Sequence, residues 1–105
     1  MFTPSLSLRD GVLIKRESLF KQQRMLISSV AKIVALNRDA LTHDEVLIAF
    51  VDASGEQLIV SEFDKGFKST IDSIYEHFVG MRPWRGIEKG APFELRSLDL
   101  WGRDA

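Results

Sequence analysis

The chain has 105 residues, enough for one domain with a single modest core, and 45% of them are hydrophobic. The formal net charge is −1 and 28% of residues are charged, so no long-range field draws the protein to nucleic acid or to an acidic membrane. The absence of cysteine excludes a disulfide scaffold, a thiolate metal site and a cysteine nucleophile.

The N-terminus, Met1-Phe2-Thr3-Pro4-Ser5, lacks the basic region and apolar run of a signal peptide. The longest apolar run, Val46 to Val51, is far shorter than the roughly 20 residues of a membrane span. A soluble, cytoplasmic protein is expected.

Ser5-Leu6-Ser7-Leu8 alternates polar and apolar residues, and Val12-Leu13-Ile14-Lys15-Arg16 returns after Asp10-Gly11. Both turn positions tolerate positive φ, so the chain is predicted to open with a β-hairpin. Residues 17–36 are ambiguous. The preferred reading is a strand over 21–27, a helical turn over 29–32 and a strand over 33–38; one long helix is the alternative, because Leu19, Leu26, Val30 and Ile33 also make a helical stripe.

Val46 to Val51 is apolar on both faces and predicts a central strand. The Asp52–Glu56 segment turns the chain, and Leu58-Ile59-Val60 runs back. Phe67, Ile71, Ile74, Tyr75 and Phe78 share one side of a helix that Asp64 can cap and Gly80 can stop, with Lys68 and Asp72 spaced to pair. The tail, 81–105, carries Pro83, Trp84, Pro92, Phe93 and Trp101; it is predicted to be irregular and to fold back on the domain or onto a second subunit. Residues 1–105 form one domain, with sheet and helix in 1–80.

No catalytic constellation is present. His43 and His77 lack a second histidine at ligand spacing, so no metal or other cofactor is expected. No serine sits in an elbow motif, and Gly86-Ile87-Glu88-Lys89-Gly90 is not a phosphate loop. The carboxylates Asp39, Asp44, Asp52 and Asp64 fall at turns and caps, where aspartate has structural work. Glu62, at the end of an apolar strand, is expected to bond backbone amides or Arg38.

Two clusters remain. Arg82, Trp84, Arg85 and Trp101 are candidate protein-contact residues, since arginine and tryptophan are enriched at interfaces; the same residue types also suit internal stacking. Lys15, Arg16, Lys21 and Arg24 form a basic hairpin that could hold an anion or lipid headgroup, or simply protect a strand edge.

Antiparallel strands finished by an amphipathic helix resemble a reduced pleckstrin-homology-like fold. The strings Asp39 to Val46 and Ser61 to Phe67, then Pro92-Phe93 and Leu100-Trp101, are similar to a family of short bacterial proteins of uncharacterised function. The resemblance covers nearly the whole chain. It implies a partial barrel; the segments themselves predict an α+β fold, a curved antiparallel sheet of about five or six strands with a C-terminal amphipathic helix and an irregular tail. It also implies a non-enzymatic role. Two features depart from the lipid-binding members: Glu17 interrupts the basic cluster, and the helix carries Tyr75 and Phe78 where a tryptophan is usual. The expected function is therefore a non-catalytic protein-interaction module that self-associates or binds an unknown protein. Anion binding by the basic hairpin is the alternative, and a small enzyme with a pocket under the helix the second alternative.

Overall fold

The computed structural model describes residues 2–39, 44–86 and 95–103. The described residues make an α+β fold of seven strands and one α-helix. Strands β1 (Ser5–Arg9), β2 (Val12–Arg16) and β3 (Gln22–Leu26) form one antiparallel sheet in that order. Strands β4 (Val30–Asp39), β5 (Asp44–Asp52), β6 (Gln57–Ser61) and β7 (Leu95–Gly102) form the second, in the order β6-β5-β4-β7. Helix α1 (Phe67–His77) lies between β6 and β7 in sequence.

The first hairpin forms at the predicted place. Asp10 and Gly11 have φ of 50° and 76°, the left-handed pair that matches strand twist. Between β2 and β4 the chain is strand, one short 3₁₀ turn (Ile27–Ser29) and strand, so the long-helix alternative is excluded. The turn falls two residues earlier than predicted.

Two bulges re-aim the central sheet. Val30 pairs with Asp52 but Lys32 with Val51, so Ala31 is extra. The parity change lets Val30 and Ile33 both face the core, where neither is exposed. On the other edge of β4, Ile33 pairs with Trp101 and Val34 with Asp99, which makes Leu100 the extra residue; it is buried.

Leu6 and Leu13 of one sheet, Ile33, Ile48, Phe50, Leu58 and Val60 of the other, and Phe67, Ile71 and Ile74 of the helix join in a single core. At about 25 cal/mol per Å² of apolar surface, these side chains are the main source of stability. The turn after β5 is held by Asp52, whose Oδ1 accepts from Ser54 N at 2.9 Å, Ser54 Oγ at 2.6 Å and Glu56 N at 3.0 Å. The Ser54 hydroxyl bond is the chief reason its carboxyl lies below the usual value.

Three sequence expectations are corrected. The tail is not irregular throughout, because β7 adds to β4 as an edge strand. The helix is therefore not the last element. The expected single curved sheet of about five or six strands is instead seven strands in two sheets, and no ladder among the described residues joins them; Gln23 Nε2 of β3 donates to Gln57 O of β6 at 3.4 Å.

The helix start differs too. Gly66 occupies the N-cap position with φ of 83° and no side-chain cap, while the Asp64 side chain is used elsewhere. Glycine is required there: a Cβ would fall 2.6 Å from the Leu6 carbonyl oxygen. That close approach accompanies a parallel bridge between Ser5 and Lys65, in which Leu6 N donates to Lys65 O and Lys65 N to Pro4 O, each at 2.9 Å. Lys68 and Asp72, though one turn apart, make no ion pair.

Candidate contact groove and the basic residues

The aromatic cluster of the tail is divided by the fold. Trp84 is buried, edge-on to Phe67 at 5.1 Å between ring centroids, and the Arg85 guanidinium lies 5.0 Å from its ring. These two residues are thus used in packing and stacking within the chain. Trp101 is half-buried, against Phe78 at 4.6 Å, and its Nε1 donates to Val79 O at 3.2 Å.

Trp101 and Arg82 come together in one groove. The segment after the helix crosses β7, where Arg82 N donates to Leu100 O at 2.9 Å. Beside this crossing lies an open groove of about 450 Å³, lined by Val79, Arg82, Asp99 and Trp101 among others. Val79 is 94% exposed on its rim. Asp99 is only loosely engaged, by Lys32 at 3.8 Å.

Tyr75 fixes the crossing segment. Its hydroxyl donates to Arg82 O at 2.7 Å and accepts from Trp84 N at 2.6 Å. Burial is the main reason its phenol is harder to ionise than usual, helped by the Asp72 charge and opposed by the Trp84 amide. The neutral phenol is favoured by folding, so its contribution is complete below the ordinary value of 10.0 and fades as pH rises through the folded value. Because the chain has a single tyrosine, absorbance titration of the phenolate reads Tyr75 alone. Its midpoint is expected above 10.0 in the folded protein and near that value in urea; coincident midpoints would contradict the burial described.

The basic hairpin cluster is also divided. Alternation along β2 puts Lys15 inward beside Leu13 and Arg16 outward. Lys15 is buried and its ammonium bonds Asp64 Oδ2, which also accepts from Ser61 N at 3.0 Å. Lys21 pairs with Glu17 at 3.2 Å. Arg24 faces outward in the same row as Ile14, where Gln22, with its amide oxygen turned to accept, takes a bond from Arg24 Nε at 2.7 Å. The four cations therefore share no single ligand, and the fold uses Lys15 in the interior. The signal lay in the sequence: a residue two after a core leucine in a strand shares its face.

Glu62 bonds a backbone amide, as expected: its Oε2 accepts from Val46 N at 2.7 Å. Arg38 instead pairs with Glu45 at 2.6 Å, and Glu45 also accepts from Ser61 Oγ at 2.6 Å. His77 is exposed on the helix, and His43 lies outside the described residues. Sequence reasoning missed Asn37, a fully buried residue of β4 whose amide has no hydrogen-bond partner among the described residues. Such a group costs about 1–3 kcal/mol. No three His, Asp or Glu side chains among the described residues are placed to hold a metal ion, and no described helix is long and apolar enough to cross a membrane. No protein-family model, curated protein or solved structure matches the chain.

Proposed function

We propose that the protein is a non-catalytic interaction module that pairs with a second copy of itself across the groove beside β7. The observation that carries this reading is the groove's make-up: an almost fully exposed Val79, with Arg82 and Asp99 in the same lining. A two-fold contact makes such a surface self-complementary, since Arg82 of each copy can meet Asp99 of the other while the two valines are covered. The groove also lies at an edge strand, the natural place for a sheet protein to associate. The sequence resemblance to the pleckstrin-homology-like class belongs to the same reading, and β7 following the helix departs from it.

Light scattering after gel filtration should give the mass of a dimer. Val79→Glu should shift the protein to monomer and leave the thermal midpoint at concentrations too low for pairing unchanged, because the side chain is exposed. Arg82→Glu should weaken pairing by about tenfold, a modest 1.4 kcal/mol. Adding Asp99→Arg should restore pairing, because the swap re-creates opposite charges. A monomeric wild type at the highest attainable concentration removes self-pairing.

A further inference from the structure

A second cleft, of about 400 Å³, opens where the start of β1 and the end of β2 meet Lys65, and is lined by Phe2, Thr3, Ser5, Arg16 and Lys65. Its geometry follows from strand register. Ser5 pairs with Arg16 of β2 on one side and bridges Lys65 on the other. Residues in one cross-strand row point to the same face, and neighbouring strands lie about 4.8 Å apart. Arg16 and Lys65 therefore flank Ser5 like two posts, each long enough to reach over it.

Two cations so placed repel unless an anion lies between them. The protein supplies none: neither Arg16 nor Lys65 is ion-paired within the described residues. Lys15, Lys21, Lys32 and Arg38 have carboxylate partners; Arg16 and Lys65, two cations without one among the described residues, share a cross-strand row with Ser5. Among the described residues the Phe2 ring lies against Arg16, its centroid 5.7 Å from the guanidinium carbon. Stacking on a ring occupies a face of the guanidinium and leaves its in-plane N–H donors for a ligand. Thr3 and Ser5 add hydroxyl donors at the same cleft.

We propose that this cleft binds a phosphoryl group, held by Arg16 and Lys65 over the Ser5 hydroxyl. A tetrahedral oxyanion has the charge and the acceptor number to use a guanidinium, an ammonium and hydroxyls together. This proposal is independent of the self-pairing groove, which shares no residue with the cleft. The phosphoryl group can belong to a soluble ester or to a phospholipid headgroup. The chain that leaves Arg16 bears on the choice: Leu19 and Phe20 are 66% and 98% exposed in a tip stiffened by Ser18, whose Oγ accepts from Phe20 N at 3.3 Å and Lys21 N at 3.1 Å. An apolar tip beside a phosphate site would enter the acyl boundary of a bilayer.

The test is a titration of the full chain at low ionic strength, with inorganic phosphate and, separately, with phosphatidylcholine vesicles containing phosphatidic acid. Phosphate should shift the amide resonances of Ser5, Arg16 and Lys65, and acetate should not. Arg16→Gln and Lys65→Gln should each weaken binding by about tenfold, as loss of one charge-assisted contact does. Phe20→Ser sorts the source. Loss of vesicle binding with phosphate binding intact identifies a lipid headgroup, whereas phosphate binding with no affinity for vesicles identifies a soluble ester. Absence of saturable binding to either probe, or binding untouched by both glutamine variants, overturns the site.

Discussion

Asp64→Ala is expected to destabilise the protein by about 3–5 kcal/mol, a large share of the 5–15 kcal/mol typical of a domain. The reason is what the substitution leaves behind. The Lys15 and Asp64 side chains are 9% and 5% exposed, and Asp64 Oδ2 serves both the Lys15 ammonium and the Ser61 amide. Without the carboxylate, an ammonium remains in the interior with no counter-charge and a backbone donor loses its acceptor. Urea unfolding should show a lower midpoint with unchanged slope. The double variant Lys15→Met with Asp64→Leu should recover most of the loss, because replacing both charges by apolar groups removes the desolvation problem. A cost under about 1 kcal/mol for Asp64→Ala would mean the pair behaves as an exposed one.

Trp84→Ala should cost about as much, roughly 3–5 kcal/mol, by emptying a large buried site. The indole is packed edge-on to Phe67, roofed by Arg85, and its backbone amide is tied to Tyr75. For a domain of this size the thermal midpoint should fall by roughly 15 °C or more. Trp101→Ala should cost less, since that ring is only half-buried. A Trp84→Ala variant that melts within a few degrees of wild type would show that the site collapses without loss, contrary to the packing described.

The parts of this fold written in short-range pattern were legible. Asp10-Gly11 between alternating runs specified the first hairpin, and the Val46–Val51 run specified a strand flanked on both edges. The spacing of Phe67, Ile71, Ile74 and Phe78 specified the buried side of the helix. Strand β7 was hidden for a definite reason. Its bulge at Leu100 places Leu98, Leu100 and Trp101 at intervals of two and one, which breaks the period-two signature. The sites were less legible because they are assembled across the chain. Lys65 comes beside Ser5 only through a parallel bridge, and Arg82 comes to share a groove with Asp99 only because a post-helical segment bonds to an edge strand. Lys15 was readable from alternation with Leu13, but its sequence company of Arg16 suggested a surface patch.

The position of β7 bears on how the protein comes off the ribosome. Strand β4 meets β5 through a nearby connection, but its opposite edge waits for a pairing as remote as Lys32 with Gly102. Until translation has passed that point, a nascent chain carries a half-satisfied ladder next to the apolar row Ile33 and Ala35. Products that stop short of β7 should therefore be the aggregating species, and a chaperone that shields an unpaired strand would act on this protein before β7 has been made.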